Sequence, residues 1–189
     1  HLCLLHNEEH KNTPNKLLTS GALACCNTGN GWDTLENILE EKQLAAPEEK
    51  ETNYYIFKVP KMHNWFKLGI SVDIPNRIRN HKDIYGENVA SWELSSRRNA
   101  ILIETAMLRD DSLKKPLEEN EVAHLQGIYG FTEIRGGDEK LIVEHVNYLV
   151  ESLESDIDDW KQWALDNIPN LRKWEIKKLQ ESEGSAVQL

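Results

Sequence analysis

The stretch that decides the fold is residues 54–81, which read YYIFKVPKMHNWFKLGISVDIPNRIRNH. Aromatic and β-branched residues alternate in its first part, Tyr54 to Val59, and this pattern predicts a β-strand. Residues 66–71 have the same character and predict an antiparallel partner, which a turn connects to the first strand. Asp73 then provides a helix N-cap just before a proline in the first turn. We therefore expect a β-hairpin that leads directly into a helix.

Two basic residues share one face of that helix, because Arg77 and His81 are four positions apart. A second helix is predicted over residues 98–108, and Glu104 lies on its apolar stripe. A carboxylate in that position costs free energy unless a counter-charge, a metal ion or a proton compensates it. Glu104 is therefore the strongest physical sign of a functional site.

These residue types match the chemistry of phosphodiester hydrolysis. A divalent cation polarises the phosphoryl group, and a hard oxygen ligand such as the Glu104 carboxylate holds that cation. An arginine such as Arg77 stabilises the charge that develops on the pentacovalent phosphorus. A phenol or an imidazole helps to deprotonate the attacking water. The hairpin and the two helices supply all of these groups.

The rest of the chain divides around this region. Asp33 begins a capping box that opens a short helix, residues 90–94 predict a third strand, and residues 131–135 predict a short closing strand. Near the C-terminus apolar residues recur every three or four positions, and Pro169 interrupts the helical pattern. We expect four segments: an N-terminal module of residues 1–27, a helix and linker in residues 28–52, a domain of residues 53–137, and a helical C-terminal extension of residues 138–189.

Charge and composition narrow the class of protein. The 189-residue chain carries a formal net charge of -10, which argues against a general nucleic-acid coat. Residues 54–82, however, contain six lysines and arginines against one aspartate, a local net charge of +5. Three cysteines do not make a secreted disulfide framework, and no apolar run reaches the length of a membrane span. We expect a soluble, intracellular, cytoplasmic protein with a locally basic site and no membrane partner.

The hairpin and the first helix also resemble a known family. Residues 54–81 are similar to the core of the GIY-YIG nucleases, and the spacing from Gly69 to Arg77 and on to His81 matches that family without a gap. Residues 103–106, which read IETA, resemble the family's metal-binding helix.

The resemblance implies an α/β (α+β) fold with a three-stranded antiparallel sheet flanked by helices, and hydrolysis in a single displacement. It implies that Glu104 binds Mg²⁺ or Mn²⁺ and that Arg77 stabilises the transition state. Tyr55 and His81 would support the water or the phosphate, and Tyr54 is an alternative to Tyr55. The residues expected to bind the substrate are Tyr54, Lys58 and Arg79.

The chain departs from the family at its second signature triplet. The triplet reads Lys67-Leu68-Gly69, so a lysine replaces the family's tyrosine. Lysine occurs there in a divergent branch of phage and bacterial members, and the resemblance implies that Lys67 activates water or binds phosphate. We therefore include Lys67 among the expected catalytic residues. The family's late polar residue has no clear counterpart, and Glu133 is the nearest candidate.

The N-terminal segment resembles a degenerate copy of the treble-clef zinc modules that precede some of these nucleases. Cys3, His6 and Cys26 match ligand positions, while Leu23 stands at the third position, for which Cys25 is a substitute. A tetrahedral zinc site needs four Cys or His ligands. The resemblance therefore implies either a Zn²⁺ ion in this segment or the remnant of such a site.

Three hypotheses of function follow. The first is a metal-dependent endonuclease that hydrolyses DNA phosphodiester bonds, with RNA as an alternative substrate. The second is a catalytically weak or inactive relative that binds nucleic acid or protein, which the net charge and Lys67 favour. The third is a helical interaction protein in which the strands are misassigned.

Overall fold

The computed structural model of the protein describes residues 2–3, 8–9, 34–80, 85–116, 125, 131–155 and 159–181. The chain divides into two compact units, residues 1–47 and residues 48–189. The second unit contains the hairpin, both predicted helices of the site and the C-terminal helices.

The first unit contains two very short strands and one helix among its described residues. They are β1 (Leu2–Cys3), β2 (Glu8–Glu9) and α1 (Leu35–Leu39), and β1 pairs antiparallel with β2. Thr34 caps α1, because its hydroxyl oxygen accepts a hydrogen bond from the backbone N–H of Asn37 at 3.3 Å. The predicted cap at Asp33 is therefore wrong by one position, and Asp33 itself lies outside the described residues.

A four-stranded antiparallel sheet organises the second unit. Its strands are β3 (Thr52–Lys58), β4 (Trp65–Ser71), β5 (Asn88–Leu94) and β6 (Ile134–Gly136), in the spatial order β5-β3-β4-β6. The predicted hairpin of β3 with β4 and the predicted third strand are confirmed.

The expectation of a three-stranded sheet is wrong, because β6 adds a fourth strand at the edge. Residues 131–135 were expected to be a strand, but Phe131–Glu133 form a 3₁₀ turn, and β6 begins only at Ile134. β6 pairs with β4, and Gly136 lies opposite Trp65. A Cβ at Gly136 would lie 3.1 Å from the Trp65 ring, so a residue without a side chain suits this close pairing.

Five helices follow or flank the sheet among the described residues. They are α2 (Ile74–Asn80), α3 (Arg97–Arg109), α4 (Glu139–Ser155), α5 (Trp160–Asn167) and α6 (Lys173–Gln180). Asp73 caps α2 as predicted, with its carboxylate oxygen accepting from the N–H of Asn76 at 2.9 Å. Pro169 lies between α5 and α6, as expected. In the part of the chain that the structure describes, every helix is too short or too polar to cross a membrane.

The strand register determines which side chains share a face of the sheet. Tyr55 lies opposite Gly69, and Phe57 lies opposite Lys67, so all four side-chain positions belong to one face. The core on this face includes Tyr55 and Phe57, and the partly buried Ile78 of α2 packs against it. The hairpin and α2 thus form one packed layer around Lys67.

Helix α3 covers the opposite face. In the pairing of β4 with β6, Lys67 lies opposite Ile134 and the neighbouring Phe66 lies opposite Arg135. Because neighbouring residues of a strand point to opposite faces, the Arg135 side chain lies on the other face from Lys67. Its guanidinium donates a hydrogen bond to the backbone oxygen of Leu108 in α3. Helix α3 also contacts β3 and β4.

The C-terminal helices pack onto α3 within the same unit. Helices α4 and α5 contact α3, and α4 also contacts β5. Arg109 at the end of α3 makes two hydrogen bonds, of 2.9 and 2.7 Å, to the carboxylate of Glu175 in α6. Glu175 is completely buried, so this two-point pair has to form for α6 to dock.

Gly69→Ala is expected to destabilise the protein by roughly 1–3 kcal/mol, as overpacking of a rigid neighbour does. A Cβ at this position would lie 2.5 Å from the Tyr55 hydroxyl oxygen and 2.8 Å from Cζ. Urea unfolding measures the effect. The matched control is Gly137→Ala, whose Cβ would meet only flexible tips of Ile142 and Leu113 at 3.2 and 3.3 Å. Equal losses in the two variants would contradict the packing argument.

Candidate active site

The hydroxyl of Tyr55 is buried and is held by a second tyrosine. The Tyr55 ring lies over Gly69, and its hydroxyl oxygen is 2.7 Å from the hydroxyl oxygen of Tyr85. Burial and the neighbouring Tyr85 hydroxyl raise the pKa of Tyr55 above the usual range of a phenol, while the charge of Arg77 lowers it. Tyr55 is therefore a neutral phenol at physiological pH, able to donate or accept a hydrogen bond.

The ammonium group of Lys67 is enclosed by the sheet. Its side chain is 1% exposed, and the ammonium forms an ion pair with the carboxylate of Glu133 and donates to the backbone oxygen of Leu68. The ammonium also lies 5.9 Å from the centre of the Tyr85 ring. Burial lowers the pKa of Lys67, and the negative charge of Glu133 acts in the opposite direction. The ion pair with Glu133 therefore favours the charged form of the lysine.

Glu104 is a partly buried carboxyl group on α3. Burial raises the pKa of Glu104 to about 8, and the negative charge of Glu133 adds to this increase. The positive charges of Lys67, Arg97 and Arg77 act against it. The protonated form of Glu104 is therefore favoured at neutral pH, and the ionised form would need a compensating positive charge.

The expected catalytic residues that the structure describes interact electrostatically with one another. Arg77 acts on Tyr55, Lys67 and Glu104, and Lys67 and Glu104 act on each other. These four residues come from β3, β4, α2 and α3. Each of these four residues is therefore within range of the charge of at least one other, while His81 lies outside the described residues.

The residues expected to bind the substrate are more dispersed. Tyr54 is on the opposite face of the sheet from Tyr55, with its ring 5.9 Å from that of Trp92. The Tyr54 hydroxyl is buried, and it has no hydrogen-bond partner among the described residues. The register therefore makes Tyr55, rather than Tyr54, the tyrosine that shares a face with Lys67.

Lys58 and Arg79 lie in solvent-accessible positions. Lys58, at the end of β3, forms ion pairs of 3.2 Å with both Glu87 and Glu139. Arg79 is exposed on α2. The basic character predicted for residues 54–82 is therefore reduced by acidic partners from later parts of the chain.

Two residues of this centre were not recognised in the sequence. Tyr85 is thirty positions from its partner Tyr55, and no spacing rule connects them. Arg97 carried a weak signal, because it is seven positions before Glu104 and so lies on the same face of α3. Glu133, named only as a candidate for a late polar residue, is the ion-pair partner of Lys67.

The zinc prediction is not tested by the described residues. Cys3 contributes backbone to β1, but its side chain and residues His6, Cys25 and Cys26 lie outside them. Across the described ranges, there is no cluster of three or more His, Cys, Asp and Glu side chains that would hold a metal ion.

Comparison of the chain with protein-family models, with curated proteins and with solved structures found no match.

Glu104→Gln is expected to change the pH dependence of stability. The pKa of Glu104 rises from an ordinary 4.5 to about 8 on folding, so the folded protein holds this proton more tightly than the unfolded chain. The wild type therefore loses stability as pH rises from 4.5 to 8, and the variant avoids a loss on the order of 1–3 kcal/mol.

Urea unfolding at pH 5 and pH 8 in metal-free buffer measures this difference. Glu144→Gln is the control, because it removes a carboxylate from an exposed pair with Lys140 on α4. If the free energies of unfolding of the Glu104 variant and the wild type fall in parallel with pH, folding does not raise the pKa of Glu104.

Proposed function

We propose that residues 53–137 form a metal-dependent endonuclease that hydrolyses DNA phosphodiester bonds, with a centre of the GIY-YIG type. The observation that carries this proposal is the placement of Glu104, a partly buried carboxyl with a raised pKa, among the charges of Lys67, Arg77 and Arg97. The phenol of Tyr55 belongs to the same centre through its electrostatic interaction with Arg77.

The charges in this centre suit an anionic substrate. Three cations, Lys67, Arg77 and Arg97, act on Glu104, and Glu133 is the other acid in the group. Among the described residues whose charges act on one another here, these three cations outnumber the two carboxyl groups even when both are ionised. Arginine also presents a planar set of donors that matches the oxygen atoms of a phosphate. A phosphodiester is therefore a better ligand for this centre than a cationic or neutral substrate.

The environment of Glu104 also fits a hard divalent cation. Burial and the nearby charge of Glu133 both oppose ionisation of this carboxyl, and a bound cation would relieve both effects. Glu104 would hold Mg²⁺ or Mn²⁺, with water and phosphate oxygens as further ligands. When bound, the ion supplies polarisation of the phosphoryl group and neutralises charge on the leaving oxygen.

The protein side chains stabilise the transition state and orient the reacting groups. Arg77 stabilises the added negative charge of the transition state. Tyr55 is neutral, so its role is to orient the attacking water or a phosphate oxygen by hydrogen bonding rather than to remove a proton as a phenolate. Tyr85 fixes the position of the Tyr55 hydroxyl.

A second function is favoured by the ion pairs of two lysines. Lys58 contacts Glu87 and Glu139, and Lys67 contacts Glu133, so part of the local positive charge is already neutralised. Together with the net charge of -10, this favours a catalytically weak or inactive module that binds nucleic acid or protein.

Cleavage of supercoiled plasmid at low salt with Mg²⁺ or Mn²⁺ separates the two functions. We expect nicked or linear product from the wild type, no product in EDTA, and a loss on the order of 100-fold or more in Glu104→Gln. Arg77→Lys keeps the charge but loses the planar donors, so it should also cut slowly. Glu144→Gln, the exposed control on α4, should cut like the wild type.

If the wild type binds DNA but does not cut it, the binding module replaces the nuclease as the proposed function. If Glu104→Gln still cuts at the wild-type rate, Glu104 has no role in the cleavage reaction. The same assay on single-stranded and duplex RNA decides between the two nucleic acids.

A further inference from the structure

The Lys67 ammonium is a positive charge that solvent scarcely reaches. The side chain is 1% exposed, and within the described residues its ammonium contacts the Glu133 carboxylate and the Leu68 backbone oxygen. The Tyr85 ring centre lies 5.9 Å from this ammonium. A charge so enclosed needs a permanent anionic partner, because its hydration has been removed.

Glu133 is the more exposed member of the pair. Its side chain is 15% exposed against 1% for Lys67, so the carboxylate retains contact with solvent while the ammonium has almost none. Glu133 ends a three-residue 3₁₀ turn, and the next strand, β6, is only three residues long. Rotation of this one side chain would uncover the ammonium without disrupting a long helix or strand.

The surroundings of the pair attract anions. Arg77 acts on Lys67 with a repulsive positive charge, and Arg77 and Arg97 both act on the adjacent Glu104. An anion that approached Lys67 would therefore also meet the positive charge of Arg77, and the Glu133 carboxylate already contacts the Lys67 ammonium. A phosphate oxygen and a carboxylate oxygen accept the same charge-assisted hydrogen bond from an ammonium.

We propose that Lys67 is a binding site for one backbone phosphate of DNA, and that in the free protein Glu133 occupies this site as an internal competitor. The phosphate replaces the carboxylate on the ammonium, and Glu133 turns outward to solvent. The exchange keeps the buried lysine paired with an anion both before and after binding. This inference rests on DNA as the ligand in the proposed function, but not on cleavage.

The competition has a measurable consequence for the salt dependence of binding. In the wild type, the phosphate gains Lys67 only by breaking the existing ion pair with Glu133. With Glu133→Gln, the carboxamide is a weaker and uncharged competitor, so the same phosphate contact is made without breaking an ion pair. We expect DNA affinity at low salt to rise roughly three- to tenfold, and the slope of log K against log salt to steepen by about one.

Fluorescence anisotropy of a labelled short duplex in EDTA, over a series of NaCl concentrations, makes this measurement without any cleavage. The matched control is Glu144→Gln, which changes the net charge by the same amount and also releases a lysine, Lys140, from an ion pair, but on an exposed helix surface. The double variant Lys67→Met with Glu133→Gln should lose the gain, because the phosphate contact is removed with the ammonium.

Several results would overturn the proposal. Equal affinities and slopes for Glu133→Gln and Glu144→Gln would show that only net charge matters, and a gain that survives in the double variant would exclude Lys67 as the site. If Glu133→Gln fails to fold in a thermal melt, Glu133→Asp keeps the charge but shortens the reach, and an unchanged affinity there would contradict the competition. If the wild type binds DNA without cutting it, only the proposed nuclease activity is contradicted. If it does not bind DNA at the lowest salt concentration, the phosphate site at Lys67 is contradicted as well.

Discussion

A lysine ammonium that is buried in an aromatic sheet needs a negatively charged partner. In the second unit, the 3₁₀ turn that ends at Glu133 and the strand β6 provide this partner. Lys67 lies opposite Phe57 on one side and Ile134 on the other, so its own strand neighbours are apolar. The strand β6 pairs with β4 at this position and places Glu133, the residue just before it, against the ammonium. The fourth strand and the lysine at position 67 therefore belong to one physical arrangement.

A second constraint connects the sheet to the site through packing. Gly69 lacks a side chain, and the Tyr55 ring occupies the space that a Cβ would need. This position of the ring brings the Tyr55 hydroxyl to Tyr85, which in turn lies beside the Lys67 ammonium. The hairpin register therefore sets the geometry of the hydroxyl pair as well as the pairing of the strands.

The elements that sequence analysis predicted are those with strong local periodicity. The hairpin, the cap at Asp73, helix α3 and the break at Pro169 all follow from spacing and from individual cap or proline residues. The apolar stripe of α3 singled out Glu104 in the sequence for the same reason. The closing strand was predicted, but its start was placed three residues too early because so short a strand shows no periodicity. Tyr85 was missed because its contact with Tyr55 depends on how separate parts of the chain pack.

The acidic composition of the chain changes how its cations act. With a net charge of -10, the protein repels DNA at distances beyond the range of individual contacts, so long-range attraction cannot supply affinity. In the proposed function, binding then depends on individual cations, and the charges of Arg77, Arg97 and Lys67 all act on Glu104. Ion pairs such as Lys67 with Glu133 keep those cations in position while no ligand is bound. In the proposed exchange, a phosphate competes with the Glu133 carboxylate that the fold itself supplies, and this competition favours ligands that engage several cations together.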